Sequence, residues 1–283
     1  MARFSSVDDA IATDEIGIRI GRHDGLHLKT AYQPVYAHLD GVLVPQAVEA
    51  LIRPFRDGHP VTPTDFFAGV HAGDRMVVEA LCRTLHLRNH RNLDQPHIEL
   101  FFNYDPRVNG DRDAAIRQLN AMAEHLDADG LDVGLLVCEV TESAIEDRDT
   151  FVRLAAEIRR LGMRLAIDDF GAGHSTLERV QTIEPDIVKF DGAFFRSVAA
   201  LPPALRLMER LVRGFQDGGA HVLVEGIETP AQLAAAIDCG ADLVQGFLLG
   251  RPQLAGCIFD AAPRPVSRYL EPEKTVVRLR AIA

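Results

Sequence analysis

Glu49, Asn103, Glu139, Asp168, Asp169, Lys189, Glu225 and Gln245 each stand at or just after the end of an apolar, strand-like run of this chain. Carboxylate and amide oxygens with no cysteine or histidine cluster beside them make a hard-oxygen site, suited to Mg2+ or Mn2+ rather than to zinc or copper. The adjacent Asp168 and Asp169 could serve two such ions, with Asp168 as the bridge. Two ions about 3.5–4 Å apart can activate a water and stabilise both the attacking and the leaving oxygen of a phosphoryl displacement. Taken singly, each acid could cap a helix, and the lysine could answer a neighbouring charge. Aimed together at one mouth, the carboxylates would repel one another unless cations neutralised them.

Such a convergence needs a scaffold that brings many strand ends to one place. Apolar strand-like runs alternate with amphipathic helical segments along the chain, the signature of an α/β fold. Candidate strands cover 31–37, 42–53, 97–103, 133–140, 163–168, 186–190, 221–225 and 242–246, with helices at 75–89, 112–126, 150–161, 203–217 and 229–238. This order predicts a closed (β/α)8 TIM-like barrel, whose active sites are built at carboxyl-terminal strand ends. Only His38, Leu39, Asp40 and Gly41 separate the first two strands. That is too short for a crossover helix, and Asp-Gly suits a hairpin turn, so the first strand should run antiparallel to the rest. Alternation places Glu99 on the face of Asn103 and Arg164 on that of Asp168; the two are expected to pair in the barrel floor, because a buried charge needs a partner. The expected partition is an amino-terminal extension at 1–25, the barrel at 26–260 and a carboxyl-terminal extension at 261–283. In that last stretch Arg264, Arg268, Lys274, Arg278 and Arg280 are expected in a solvated tail.

The 283 residues carry 30 lysines and arginines against 41 aspartates and glutamates, a formal net charge of −11. Such a chain is a poor electrostatic captor of DNA or RNA duplexes, and an anionic substrate would need metal ions to overcome the repulsion. Residues 1–22 lack the basic start and continuous apolar stretch of an export signal. No run approaches the roughly 20 apolar residues of a membrane span, so a soluble, cytoplasmic protein is expected. Cys82, Cys138, Cys239 and Cys257 lie far apart among apolar neighbours and read as buried free thiols.

In order along the chain come Tyr32-Gln33-Pro34, Glu49-Ala50-Leu51 with Arg53, Glu139-Val140-Thr141-Glu142, Asp168-Asp169-Phe170-Gly171, Lys189, Glu225-Gly226-Ile227-Glu228 and Gln245-Gly246-Phe247. This ordered set, from about Ala31 to Pro252, resembles the EAL-domain phosphodiesterases, which hydrolyse cyclic di-GMP to linear pGpG. The resemblance implies that Glu49, Asn103, Glu139 and Asp168 hold one metal ion, and Asp168 and Asp169 a second, with Glu49 also counted as catalytic. It implies that Lys189 positions or polarises the nucleophilic water, that Glu225 is general base or water ligand, and that Gln245 is a further substrate contact. Gln33, Leu51 and Arg53 would bind substrate, Arg53 through a guanidinium fork suited to phosphate. Glu142 would support the ligands, and Glu228 would anchor the glycine-rich loop from Phe170 to Ser175. In this family that loop couples metal binding to dimer contacts, so a homodimer is expected.

Departures from the family pattern are Ala172 and His174 where Thr and Tyr are usual, Pro54 where Trp is frequent, and Tyr104-Asp105 where an apolar residue and Ser are usual. None removes a proposed ligand, but Ala172 lacks a loop hydroxyl, which bears on loop ordering and rate. Two other readings stay open. One is a catalytically silent receptor that binds the dinucleotide and signals through a protein partner. The other is a different metal-dependent barrel that removes a proton beside a carboxylate.

Overall fold

Runs such as Leu136–Thr141 and Ile187–Phe190 are buried on both faces, as strands of a parallel sheet covered on both sides are. The computed structural model, which describes residues 7–106, 112–128, 131–141, 148–173, 180 and 182–270, assembles such runs into one sheet. Its strands are β1 (Ile11–Thr13), β2 (Arg19–His23), β3 (Leu26–Leu39), β4 (Val42–Arg56), β5 (His59–Pro60), β6 (Glu99–Asn103) and β7 (Leu136–Thr141). They continue with β8 (Arg164–Phe170), β9 (Ile187–Phe190), β10 (His221–Val224), β11 (Leu243–Val244), β12 (Gln253–Leu254) and β13 (Arg264–Pro265). The described helices are α1 (Pro63–Gly69), α2 (Arg75–His90), α3 (Arg112–Ala128), α4 (Arg148–Arg160), α5 (Gly192–Ala199), α6 (Pro202–Asp217), α7 (Pro230–Asp238) and the short α8 (Ser267–Leu270).

From β4 through β6 to β11 each strand pairs parallel with the next, and β3 closes the ring antiparallel to both β4 and β11. The expected barrel with one antiparallel strand is therefore the observed fold. The β3–β4 reversal is the Asp40-Gly41 turn, with φ of 48° and 78°, the positive pair required by a two-residue turn that matches strand twist.

Strand alternation then sorts the barrel interior into layers. One apolar layer holds Val35, Ala47, Phe101, Val137, Ala166, Ile187, Leu223 and Leu243, all nearly inaccessible to solvent. Two residues further along their strands stand Glu49, Asn103, Glu139, Asp168, Lys189, Glu225 and Gln245; on the reversed β3 the matching residue is Gln33, two before Val35. Two residues in the opposite direction stand Glu99 and Arg164. Arg164 Nη1 donates to both oxygens of Glu99, at 2.7 and 2.9 Å, which is the pairing expected of the floor.

Beyond the ring, β2 pairs antiparallel with β3, and β1 with β2, so residues 11–23 continue the sheet. This was not foreseen, although Asp24-Gly25 and Asp57-Gly58 repeat the positive-φ pairing of Asp40-Gly41 at the next two hairpins. A second apolar cluster of Leu26, Leu28, Ile52, Phe66, Val78, Leu81 and Leu85 fills the space under these strands. A Cβ at Gly21 would lie 2.7 Å from Leu85 Cδ1, so β2 sits directly on α2.

At the other end, the expected solvated tail is corrected over residues 264–270. There β13 pairs with β4, and Arg264 donates to Leu249 O at 2.9 Å while its guanidinium lies over Tyr36 at 5.2 Å. Lys274, Arg278 and Arg280 fall outside the described residues. Cys82, Cys138 and Cys239 are buried free thiols, whereas Cys257 is exposed in the turn after β12, where its N–H donates to Leu254 O at 3.1 Å. Among the described residues no helix is long and apolar enough to cross a membrane.

Candidate active site

Adjacent residues of a strand point to opposite faces, so Asp168 and Asp169 could not both serve one mouth in a regular β8. The register resolves this. Ile167 pairs with Val188, and the next pair is Phe170 with Phe190, so the two aspartates together oppose Lys189. Asp169 adopts φ of 60°, a left-handed bulge that costs about 1–2 kcal/mol in most residues and less in aspartate, and its N–H donates to Asp168 Oδ1 at 3.0 Å. Asp169 is on the exposed side of the ring. Partial burial raises its pKa, the Asp168 charge adds to this, and Lys189 pulls the other way.

Lys189 occupies the centre and is 1% exposed. Its Nζ lies 3.0 Å from Asp168 Oδ1, 2.7 Å from Glu225 Oε1 and 4.0 Å from Glu49 Oε1, and it contacts Glu139 Oε1 as well. Burial works against the ammonium, yet Asp168, Glu139, Glu225 and Glu49 hold its pKa well above the ordinary lysine value, so it is charged. One ammonium cannot neutralise four carboxylates. Burial pushes Glu225 up to about 8 against the pull of Lys189, with Asp168 and Glu49 adding to the rise. Glu139 is driven well above the carboxylate range by burial, countered by Lys189 and reinforced by Glu49 and Asp168.

The remaining predicted residues distribute around this ring. Gln245 Nε2 donates to Glu49 Oε2 at 2.9 Å, which fixes the rotamer of Glu49. Gln33 is buried, and its Nε2 donates to Gly250 O at 3.2 Å. Leu51 and Arg53 follow Glu49 along β4 into a cavity of about 300 Å3 that also reaches Asn103, Glu139 and Thr141. Burial lowers the Arg53 pKa against the opposing pull of Glu49. Asn103 ends β6 exposed at the mouth. Glu228 is exposed on the turn before α7, its backbone N–H held by Gln232 Oε1 at 2.7 Å. Glu142 and His174 lie outside the described residues.

The far wall of the cavity brings in Glu79, Arg83 and His86 of α2, and Asp105 after β6, none of which the strand-end argument could reach. The one available signal was Glu79 and Arg83 at i, i+4 on a helix face otherwise given to core residues.

The donor set fits hard divalent cations. The Glu139 side chain is fully buried; among the described residues its ion-pair partner is Lys189, and its Oε2 has no hydrogen-bond partner. A carboxylate in that position calls for a positive group beyond one ammonium. Among the described residues no three acidic, histidine or cysteine side chains are spaced to enclose an ion as they stand. Lys189 fills the middle of the ring as it stands.

A family model described as the EAL domain matches residues 19–252. Cyclic di-GMP phosphodiesterase NbdA of Pseudomonas aeruginosa is 30% identical over 261 residues, covering 86% of this chain and 32% of that protein. Bifunctional diguanylate cyclase/cyclic di-GMP phosphodiesterase MucR of the same organism is 29% identical over 233 residues, covering 79% of this chain and 33% of that protein. The chain thus spans about a third of the length of these curated relatives. Among solved structures, the manganese/cy-diGMP complex of Klebsiella pneumoniae BlrP1 at pH 6 matches with a TM-score of 0.73 and 28% identity, covering 90% of this chain and 62% of that one.

Proposed function

Given that the chain belongs to the EAL-domain family, we propose that it is a divalent-metal-dependent phosphodiesterase that hydrolyses cyclic di-GMP to linear pGpG by a two-metal-ion mechanism. The observation that carries this reading is the crowding of four carboxyl groups around the single Lys189 ammonium at the carboxyl-terminal mouth of the barrel.

Glu49, Asn103, Glu139, Asp168 and Asp169 would hold two ions, Mg2+ or Mn2+. Such ions supply Lewis-acid stabilisation of phosphoryl charge and acidify a water. Arg53, four residues beyond Glu49, offers a fork to a substrate phosphate, and the Leu51 side of the cavity and Gln33 would orient the nucleotide. Lys189, held charged, positions the attacking water and faces the negative charge that develops on the phosphoryl oxygens. Glu225, 2.7 Å from the Lys189 ammonium, would act as general base or water ligand. Gln245 keeps Glu49 in place through its 2.9 Å bond. Glu142 would support the ligands, and Glu228 would anchor the loop that follows the aspartates.

The receptor reading draws on one feature: no three carboxylates are spaced to enclose an ion among the described residues. Incubation of purified protein with cyclic di-GMP and Mg2+ or Mn2+, with products followed chromatographically, separates the two. The phosphodiesterase reading expects metal-dependent pGpG that disappears in Glu49→Ala and in chelator. Tight binding without product would make the chain a receptor, and no interaction at all would return the site to other barrel chemistry. A cytoplasmic homodimer, regulated by a further protein, completes the proposal; sedimentation that shows only monomer with and without ligand would count against the dimer.

A further inference from the structure

Two turns carry site carboxylates past the ends of neighbouring strands: Phe170-Gly171-Ala172 after Asp168 and Asp169, and Gly226 after Glu225. The first turn and a half of α5 lies between them. A Cβ at Gly171 would be 2.5 Å from Cγ and Cδ1 of Phe194, so the Phe194 ring rests directly on the Gly171 Cα, and Gly171 itself has φ of 97°. The same ring stacks on Phe190 at 6.0 Å and an interplanar angle of 13°, and Phe190 follows Lys189. Asp191 ties this corner together: its N–H donates to Phe170 O at 3.1 Å, and its carboxylate accepts the Phe194 N–H at 2.8 Å. Two residues on, Arg196 Nη1 donates to Gly226 O at 3.4 Å, and a Cβ at Gly226 would lie 2.7 Å from that nitrogen and 2.8 Å from Gly192 Cα.

We propose that Phe194 and Arg196 are positioning residues for the site. The Phe194 ring keeps the turn after the bulge closed, which holds Asp169 in its left-handed conformation beside Asp168, while Arg196 holds the turn that ends in Glu225. Among the described residues no hydrogen bond or ion pair joins either side chain to the carboxylates, so both act through the backbone. An aromatic face can only rest on a Cα where no side chain intervenes, which is why the contact requires Gly171. The consequence for metal binding rests on the proposed function; the consequence for the backbone does not.

The test therefore has two readouts. In metal-free protein, amide hydrogen exchange of a peptide covering 166–173 should quicken at least about tenfold in Phe194→Ala. It should stay near wild type in Phe194→Tyr, and the peptide covering 136–141 should not respond. Leu119→Ala, a buried substitution in α3, controls for general loss of stability. Arg196 is exposed, so Arg196→Ala leaves the core intact and should quicken exchange around 225–227 instead. Calorimetric Mn2+ affinity should fall about 10–100-fold in Phe194→Ala, the usual effect of removing support behind metal ligands, and recover in Phe194→Tyr. Exchange at 166–173 that rises no more than in Leu119→Ala would overturn the proposal, as would unchanged exchange at 225–227 in Arg196→Ala. If wild-type protein takes up no Mn2+, the metal reading fails and the exchange data alone decide the positioning role.

Discussion

Replacing Lys189 by methionine removes a buried positive charge at nearly constant side-chain volume. The ammonium is 1% exposed and answers Glu225 at 2.7 Å, Asp168 at 3.0 Å, Glu49 at 4.0 Å and Glu139 in direct contact. Deleting one partner of a buried ion pair costs about 3–5 kcal/mol, because the remaining charge stays buried without compensation. At about 2–4 °C of melting temperature per kcal/mol for a chain of this class, metal-free Lys189→Met should melt about 6–20 °C below wild type. Circular dichroism melts at pH 8 in chelator measure this directly. Adding Mn2+ should restore part of the loss, since a ligand at 100 times its dissociation constant contributes about 2.7 kcal/mol to the folded state. Melting within about 2 °C of wild type in chelator would mean that the carboxylates are already neutral and that the mouth is not a trap for cations.

Arg164→Met should destabilise by about 1.5–3 kcal/mol, the range for hydrogen bonds to charged groups, with Glu99→Gln nearly silent once Arg164 is gone; a double-mutant cycle by urea unfolding that finds no coupling would remove the floor pair from the energetics. His86 gives a pH signature. Burial, with Arg53 and Arg83 adding, lowers its pKa to about 3, against about 6.5 in an unfolded chain. Above about pH 6.5 both states are neutral and the histidine contributes nothing; below it the unfolded chain binds a proton that the native chain refuses, so stability falls down to about pH 3. Wild type should lose roughly 2–3 kcal/mol more than His86→Gln between about pH 6.5 and 4.5, and parallel urea curves for the two proteins would contradict the burial of a neutral imidazole.

Much of the site was legible because a barrel reads its strands in alternation. Once Ala47, Val137, Ile187 and Leu223 point inward, Glu49, Glu139, Lys189 and Glu225 must do the same one layer up, and Glu99 and Arg164 one layer down. The Asp40-Gly41 turn was legible for the same local reason, since only a few dipeptides tolerate two positive φ values. What alternation cannot deliver is its own interruption. The bulge that lets Asp169 join Asp168 shows only in the β8–β9 register, a non-local property. The strands at 11–23 escaped because they are only three and five residues long, although the Asp24-Gly25 turn before β3 has the same positive-φ signature as Asp40-Gly41. The central place of Lys189 follows from distances between strands, which no periodicity encodes.

The hydrogen bond from Gln245 to Glu49 joins residues 196 positions apart, and the β3–β11 seam beside it pairs Ala37 with Leu243. By contrast β3 and β4 meet across a two-residue turn, so their ladder closes early and at little entropic cost. As the chain leaves the ribosome, every strand from β4 to β10 can find its neighbour before β11 exists, yet the ring stays open until the last barrel strand arrives. Glu49 lacks the hydrogen bond from Gln245 until that moment. A chain truncated before residue 243 could hold most of its sheet and still have no completed mouth, so the Gln245–Glu49 bond marks the finished fold rather than any intermediate on the way to it.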